Sequence, residues 1–369
     1  MNRIILIGNG FDLAHGLKTS YADFINWYWD DWGKWLLHGM NRIEQDPLCS
    51  FQLRDEINLH SWAYVWGYHY QRTNPLLPWD IHEVLDIAKQ DTDLCNFSIT
   101  SGFFSDVCQD VENKGWVDIE NVYYSYLRAG VIEPRIINDE LDYLRNRLVE
   151  YLSVVQNGVT EDLIVDKRKD KLTEPFREKD VSVEALSNSD LKMQFVNLKR
   201  RKMSFVPGKI LMLNFNYTNL ADLYLPKTSN HHVNHIHGEL ANPNSVVFGY
   251  GDELDVNYKS IVNKNDNEYL RNIKSIRYQE TPNYRNLLEF IESSPYQIYI
   301  MGHSCGNSDR TLLNTLFEHK NCFSIKPFYF KRSDGSDNYL ELVQNISRNF
   351  TDMKLMRDRV VNKTFCETL

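Results

Sequence analysis

An apolar run that ends at two glycines lies close to the start of the chain. Large aliphatic side chains fill every position from Ile4 to Ile7, which is long enough for one strand buried on both faces. Gly8 and Gly10 follow, with Asn9 between them, and a residue without a Cβ atom lets the backbone turn sharply. The pattern predicts a strand, a tight turn and a helix whose first N–H groups can bind an anion. A turn of the same shape without a ligand is the alternative.

The composition is typical of a globular protein. The chain has 369 residues, 42% of them hydrophobic and 25% charged, and its net charge of −9 gives no general attraction to nucleic acid or anionic membranes. Its 6 cysteines form no CxxC pair, and no apolar stretch is long enough for a secretion signal or a membrane span. We therefore expect a cytoplasmic protein with reduced thiols.

The middle of the chain has helical rather than strand patterns. Helical spacing is visible after Tyr21, over residues 53–70, 78–89 and 123–127, and most clearly over 137–155. No strand is expected between Tyr21 and about Val206. Residues 158–183 are dense in charged side chains and predict an exposed loop. The sequence thus predicts a helical insertion over residues 37–205, which interrupts an α/β domain made of residues 1–36 and 206–369.

Apolar strands alternate with helices after residue 206. Strands are predicted over residues 209–216, 232–238, 245–250, 296–303 and 324–331, and helices over 218–225, 284–292, 308–319 and 338–347. This alternation favours a largely parallel sheet. The predicted fold class is α/β, with a Rossmann-like, mostly parallel sheet and a large helical insertion.

Several of these strands end in polar or glycine residues. The ends read GNG at 8–10, NFNYTN at 214–219, HIHG at 235–238, FGYGDE at 248–253 and GHSCGNSD at 302–309. In open parallel sheets, ligands bind beyond the carboxyl ends of the strands. Because a parallel sheet collects these distant segments on one edge, we expect the functional site there.

Two known motifs are matched in part. Leu13 stands at the third glycine position of GxGxxG, so the dinucleotide fingerprint of oxidoreductases is not present. Residues 302–306 match the GxSxG turn of serine hydrolases, after a strand and before a helix. The one histidine downstream is His319, on or just past that helix, which points it away from the strand ends. A hydrolase using Ser304 is kept as an alternative.

A cluster of histidines offers a second alternative, a metal site. The cluster consists of His231, His232, His235 and His237. His235 and His237 share one face of the predicted strand, which suits a metal ion. No acid or cysteine spacing supports such a site, so we predict no metal.

These segments resemble a known family when they are taken together. The resemblance rests on Gly8–Tyr21, on Asn214–Thr218, on His235–Glu239 with Phe248–Asp252, and on Gly302–Ser304 with Asp309. They are similar to the bacterial abortive-infection AbiH family, which in turn resembles sirtuin-like NAD-binding proteins. The chain departs from sirtuins in its GNGFD loop, in Thr218 where an aspartate is common, and in lacking zinc-binding cysteine pairs. The last difference argues against peptide deacylation.

The resemblance implies that Asn216 and His237 are the catalytic residues. Nicotinamide leaves NAD as a group that is already cationic, so cleavage of its bond to ribose needs no general acid. The amide of Asn216 can orient a water molecule or a ribose hydroxyl, and His237 can accept a proton near neutral pH. A capping asparagine and a hydrogen-bonded histidine at a strand end are the structural alternatives.

The resemblance also implies how NAD would be held. Gly8, Asn9 and Gly10 would cradle the diphosphate, and Asp12 would contact ribose or cap the helix. Gly238 would allow close approach of the substrate. The remaining expected contacts are Thr19, Ser20 and Tyr21 near nicotinamide, and Gly302, His303, Ser304 and Asp309 near the adenosine half.

The expected function is cleavage of NAD to nicotinamide and ADP-ribose during defence against phage. A nucleotide-binding sensor or a structural defence module without catalysis is the first alternative, and the Ser304 hydrolase is the second. Because uncontrolled loss of NAD is lethal, we expect self-assembly or a partner defence protein to control the activity. Neither a membrane nor a nucleic acid is expected as a partner.

Overall fold

The computed structural model describes residues 1–38, 41–55, 81–225, 228 and 230–369. These residues form two compact units. The first consists of Met1–Thr19 and Leu152–Leu369, and the second of Ser20–Tyr151. The α/β domain predicted from the sequence comprised residues 1–36 and 206–369. The first unit instead leaves off earlier, at Thr19, and resumes about fifty residues earlier, at Leu152.

A five-stranded parallel sheet is the centre of the first unit. Its strands are β1 (Asn2–Ile7), β5 (Ile210–Asn214), β6 (His231–His235), β7 (Tyr296–Met301) and β8 (Cys322–Phe328). They are arranged in the order β6-β5-β1-β7-β8, and all neighbouring pairs are parallel. Counted along the chain, the order is 3-2-1-4-5, as in the first five strands of doubly wound dinucleotide-binding sheets. The prediction of an α/β fold with a parallel sheet is confirmed.

The opening apolar run forms the central strand because both of its faces are covered. Ile4 pairs with Leu211 on one side and with Ile298 on the other. Ile4 and Leu6 belong to one core cluster, whereas Ile5 and Ile7 belong to another on the opposite face. Burying an aliphatic side chain of this size contributes roughly 1.5–3 kcal/mol, which explains why the run contains no polar residue.

Helices and irregular segments connect the strands of the first unit. The α-helices are α1 (Asn9–Ala14), α7 (Asp166–Thr173), α8 (Val183–Ser187), α9 (Ser189–Arg200), α10 (Tyr258–Val262), α11 (Lys274–Arg277), α12 (Asn283–Ser293), α13 (Arg310–Glu318), α14 (Tyr339–Arg348) and α15 (Met353–Arg359). The helices predicted over 284–292, 308–319 and 338–347 correspond to α12, α13 and α14. The predicted helix over 218–225 is only a 3₁₀ turn, Leu220–Leu223.

The prediction of a strand over residues 245–250 is wrong. A 3₁₀ turn, Pro243–Ser245, leads into an irregular segment, and only Tyr250 makes an isolated bridge, with Ile273. Val246, Val247, Phe248 and Tyr250 are nevertheless buried. The apolar run therefore reflects burial of a loop rather than membership of the sheet.

The charged segment over residues 158–183 is more ordered and more buried than an exposed loop. It contains α7, and Leu172 packs into the same core cluster as Ile5 and Ile7. Its acids meet buried cations of the sheet: Lys326 Nζ lies 3.4 Å from Glu174 Oε1 and 3.9 Å from Asp180 Oδ2. Opposite charges on the strands thus draw part of this segment inward.

The second unit combines helices with a small antiparallel sheet. Its strands are β2 (Ile43–Gln45), β3 (Cys49–Leu53) and β4 (Cys95–Ile99), arranged in the order β2-β3-β4. Its helices are α2 (Tyr21–His38), α3 (Ile81–Gln90), α4 (Gly102–Lys114), α5 (Ile119–Ala129) and the first part of α6 (Pro134–Gln156).

The prediction that no strand lies between Tyr21 and Val206 is therefore wrong. The three strands have only three to five residues each and mix polar with apolar side chains, so they give no clear period in the sequence. The helix predicted over 137–155 is α6. The helix predicted over 53–70 lies outside the described residues except for residues 53–55, and Leu53 ends β3.

Candidate functional site

The carboxyl ends of four neighbouring strands meet at one edge of the parallel sheet. Asn214, which ends β5, is the register partner of His235, which ends β6. Ile7, which ends β1, bridges to Gly302 after β7, and its carbonyl oxygen accepts a hydrogen bond from Phe215 N at 2.9 Å. The polar residues that follow these strands therefore lie along the same edge.

Asn216 is held in one orientation by residues that follow β1. Its Nδ2 atom donates to Gly8 O at 3.1 Å and to Asp12 Oδ1 at 2.8 Å. Because a carbonyl oxygen only accepts hydrogen bonds, Nδ2 must face Gly8 and the amide cannot be flipped. Its Oδ1 atom has no hydrogen-bond donor among the described residues, so it remains able to accept one.

Asp12 supports Asn216 from inside helix α1. Its carboxylate is buried and accepts hydrogen bonds from Asn216 and from Thr218 Oγ1, the latter at 2.6 Å. Burial raises the pKa of Asp12 to about 6, and the two hydrogen bonds oppose that rise. Asp12 does not cap the helix, because α1 begins at Asn9 and no side chain caps it.

Asp309 is the centre of a buried charged cluster after β7. Its Oδ1 atom lies 2.9 Å from Lys274 Nζ and 3.1 Å from His237 Nε2, and its Oδ2 atom lies 3.5 Å from His303 Nε2. Burial disfavours the charge, but Lys274 and His237 hold the pKa of Asp309 well below its ordinary value. Asp309 precedes α13 without capping it through its side chain.

His237 is oriented by this cluster. The ionised carboxylate of Asp309 can only accept, so the proton of the imidazole lies on Nε2, which also contacts the hydroxyl of Tyr278 at 3.0 Å. Nδ1 has no hydrogen-bond partner in the described part of the chain. Burial and the charge of Lys274 lower the pKa of His237 despite Asp309. The ring is therefore neutral near pH 7, and Nδ1 can accept a proton.

His303 faces Asp309 as a neutral donor. Cys305 N–H donates to His303 Nδ1 at 3.0 Å, which leaves the ring proton on Nε2. Cys305 has a φ of +56°, which is uncommon for a residue with a side chain, and Asn349 Nδ2 donates to its carbonyl oxygen at 2.9 Å. The ring of Phe215 packs against both histidines, with centroids 4.1 Å from His303 and 5.1 Å from His237.

The glycines after β1 and β7 let their two loops approach each other. Gly10 N donates to Gly302 O at 2.9 Å, and Phe11 N donates to Gly8 O at 2.8 Å. Gly302 has a φ of +80°, and a Cβ atom there would lie 2.0 Å from Phe11 N. Contact between the loops explains these glycines without a ligand, so their role as a diphosphate cradle stays a prediction.

Gly238 is likewise required by the fold. Its φ is +82°, and a Cβ atom would lie 2.1 Å from the carbonyl oxygen of Ser245. The chain reverses direction here after His237, and the returning segment leaves no room for a side chain. Close approach of a substrate is not needed to explain this position.

The residues predicted near nicotinamide make local contacts. Thr19 is buried, and its hydroxyl donates to Asn9 Oδ1 at 2.5 Å. Ser20 precedes α2 and accepts a hydrogen bond from Asp23 N at 3.0 Å, as an N-terminal cap does. Ser20 and Tyr21 belong to the second unit. Their predicted contact with the substrate stays a prediction.

The geometry argues against a hydrolase that uses Ser304. Ser304 is exposed and follows the last residue of β7, whereas the ring of His319 stacks on Tyr296, the first residue of that strand. His319 Nε2 also pairs with Glu292, at 3.2 Å. His303 is the neighbour of Ser304 in sequence, but it is committed to Asp309 and Cys305.

The histidine cluster divides between two different sets of partners. His235 Nε2 lies 2.9 Å from Asp222 Oδ2, and its Nδ1 lies 3.2 Å from Asn214 Nδ2. His237 instead contacts Tyr278 and Asp309. Within the described ranges, no group of three or more histidine, cysteine, aspartate or glutamate side chains is arranged to hold a metal ion.

Sequence reasoning missed two members of the site. Lys274 and Tyr278 lie between β6 and β7, in a stretch before α12 that has no strand and only short helical turns. Neither residue stands in a motif, and Lys274 is a buried lysine, which its sequence neighbours do not indicate.

The chain matches a known protein family over most of its length. A family model described as "Bacteriophage abortive infection AbiH" matches residues 4–330, which include every strand end described above. The chain belongs to the AbiH family. Membership implies a role in abortive infection, so the predicted defence function is confirmed at this level.

Searches for individual similar proteins found none for this AbiH-family chain. No curated protein and no solved structure matches it. The likeness to sirtuins therefore stays a prediction. Within the part of the chain that the structure describes, no helix is both long and apolar enough to cross a membrane.

Proposed function

We propose that this AbiH-family protein is an NAD glycohydrolase, which cleaves NAD to nicotinamide and ADP-ribose during abortive infection. The observation that carries the proposal is the state of His237, a neutral imidazole whose Nε2–H faces Asp309 while Nδ1 is unpaired among the described residues. A histidine held by a carboxylate in this way is suited to act as a general base.

The reaction needs a base but no acid. The bond between C1′ of ribose and the nicotinamide nitrogen breaks, and its electron pair neutralises the pyridinium. The resulting oxocarbenium-like centre forms a bond to the oxygen of a water molecule. Nδ1 of His237 accepts the proton that this water loses and later returns it to solvent. Water and NAD thus yield nicotinamide, ADP-ribose and one proton.

Asn216 would orient the water molecule or a ribose hydroxyl. Its Oδ1 atom can accept a hydrogen bond from either, because Nδ2 is already engaged by Gly8 and Asp12. Asn216 and His237 each stand two residues beyond the ends of neighbouring paired strands, Asn214 and His235. A base and an orienting amide at the same edge of the sheet are what this chemistry requires.

The strand order supports a nucleotide ligand. The sheet has the order of doubly wound dinucleotide-binding sheets, in which the ligand binds at the carboxyl edge where the order reverses. In this chain that position lies between β1 and β7, beside Gly8 and Gly302. We keep these loops and Ser304 as the expected contacts of the diphosphate and adenosine groups.

The test is an assay of NAD cleavage by the purified full-length protein, with and without lysate from phage-infected cells, reading nicotinamide by chromatography. His237→Ala and Asn216→Ala should each lower the rate by roughly 100-fold or more. His232→Ala is the matched control, because His232 is exposed at the opposite end of β6. Ser304→Ala should also keep the activity.

Two results would contradict the proposal. If NAD binds but stays intact under both conditions, the site is that of a nucleotide sensor. If Ser304→Ala abolishes activity while His237→Ala and Asn216→Ala keep it, the protein is a serine hydrolase.

A further inference from the structure

The connection between β6 and β7 brings two side chains into contact with the site. Tyr250 N donates to Asn272 O at 3.1 Å, and Lys274 N donates to Tyr250 O at 2.9 Å, so two distant parts of this connection pair like short strands. Lys274 belongs to this pairing, and Tyr278 follows it one helical turn later. Their positions beside Asp309 and His237 are therefore set by backbone hydrogen bonds as well as by side-chain contacts.

One carboxylate oxygen has two nitrogen partners. Asp309 Oδ1 lies 2.9 Å from Lys274 Nζ and 3.1 Å from His237 Nε2. Lys274 is almost fully buried, with 1% of its surface exposed, and the side chain of Asp309 is 10% exposed. A carboxylate this far from water needs a cation beside it. Either Lys274 or a protonated His237 can meet that need.

We propose that Lys274 is a positioning residue for the reaction: it is the counter-cation of Asp309 and thereby leaves His237 neutral, with Nδ1 able to accept a proton. Without the ammonium group, Asp309 would be balanced only by protonation of His237, and a protonated imidazole cannot act as a base. The catalytic part of this inference rests on the proposed function.

The other groups that face Asp309 and His237 cannot replace Lys274. His303 reaches Oδ2 from 3.5 Å as a neutral donor, since Cys305 N–H occupies its Nδ1. The hydroxyl of Tyr278 is neutral, and the thiol of Cys305 is buried and uncharged. In the described ranges Asp309 has three ion-pair partners. Two are the histidines His237 and His303, and the third is Lys274.

The test measures the pKa of the His237 imidazole by NMR on the full-length protein with labelled histidines, with the signal assigned by its loss in His237→Gln. Lys274→Met keeps the length of the side chain but removes the charge. The pKa of His237 should then rise by about one unit or more, because the nearby cation no longer opposes protonation. Lys274→Arg keeps a positive charge and should leave the pKa close to the wild-type value.

Asp309→Asn separates this inference from a loss of packing. With Lys274 present and the carboxylate neutralised, the pKa of His237 should fall. Simple loosening of the site would admit water and move the pKa of His237 toward its ordinary value, that is upward, in both variants. Opposite shifts in Lys274→Met and Asp309→Asn support the proposal; shifts in the same direction, or no shift in Lys274→Met, overturn it.

The rate of NAD cleavage gives a second readout. In Lys274→Met the acidic limb of the pH–rate profile should move to higher pH by the same amount as the pKa of His237. A wild-type protein without NAD cleavage would contradict the proposed function, whereas the NMR titration would still test the link between Lys274 and His237. The two failures are therefore distinguishable.

Discussion

The Nδ2 atom of Asn216 lies 2.8 Å from a carboxylate oxygen of Asp12, a residue 204 positions earlier in the chain. Gly8 O accepts from the same Nδ2 atom, so both hydrogens of the amide are engaged. As a result, Oδ1 is the only atom of the Asn216 side chain that can take a further hydrogen bond. Asp12 thus determines which group Asn216 presents at the edge of the sheet.

This relationship predicts that the carboxylate of Asp12 can be replaced by a neutral amide without loss of activity, whereas removal of the side chain lowers activity. In Asp12→Asn, the new amide can still accept from Asn216 and can donate to the hydroxyl of Thr218, so the orientation of Asn216 is kept. In Asp12→Ala, Asn216 keeps Gly8 O but loses its side-chain acceptor. We expect NAD cleavage to fall roughly 10- to 100-fold in Asp12→Ala and to stay near the wild-type rate in Asp12→Asn. Equal losses in the two variants would show that the charge, not the orientation, matters.

Asp12 should also make stability depend on pH. Burial raises its pKa from an ordinary value of 3.8 to about 6, so between these values the folded protein binds more protons than the unfolded chain. Stability therefore falls as pH rises through this window. From about pH 5 to about pH 7.5, this group alone should lower the free energy of unfolding by about 1 kcal/mol.

Urea unfolding of the wild type and of Asp12→Asn at several pH values isolates the contribution of this group. All other titrating residues are shared, so they cancel in the difference between the two free energies of unfolding. That difference should shift in favour of Asp12→Asn as pH rises. A difference that stays constant with pH would mean that Asp12 titrates at its ordinary value.

The contact between the two glycine loops predicts an unequal effect of two similar substitutions. Gly302 and Gly335 both have positive φ, +80° and +88°, but a Cβ atom at Gly302 would lie 2.0 Å from Phe11 N, whereas nothing lies within 4 Å at Gly335. Gly335→Ala should lower the free energy of unfolding by about 1 kcal/mol, through backbone strain alone. Gly302→Ala should lower it by roughly 3 kcal/mol or more, since backbone must also move. Similar losses, measured by urea unfolding, would contradict this contact.

The sheet and the edge at which its polar strand ends meet could be predicted because they depend on local patterns. Continuous apolar runs such as Ile4–Ile7 mark strands buried on both faces, and parallel pairing then brings their carboxyl ends together. The same rule gave the wrong prediction of a strand over residues 245–250, because burial of a loop produces the same pattern as burial of a strand. The catalytic roles of Asn216 and His237 came instead from the resemblance to the AbiH family, and they stay a prediction.

The partners of these residues could not be predicted because they come from segments without a pattern. Nothing near Lys274 in sequence indicates that it lies beside Asp309, and Asp12 resembles an ordinary acid in the first turn of a helix. The charged segment 158–183 was expected to be exposed for a related reason. Its buried partners Arg3 and Lys326 lie in strands far away in sequence, and charge density alone does not reveal them.

The buried lysine of β8 gives the last prediction. Lys326 has no exposed surface, and its Nζ atom lies 3.3 Å from Glu367 and 3.4 Å from Glu174. Lys326→Met would leave these carboxylates without a buried cation, so we expect the free energy of unfolding to fall by roughly 3 kcal/mol. Lys331→Met, at an exposed position just after β8, should change it by less than about 0.5 kcal/mol. Equal effects in urea unfolding would mean that the ion pairs contribute no stability.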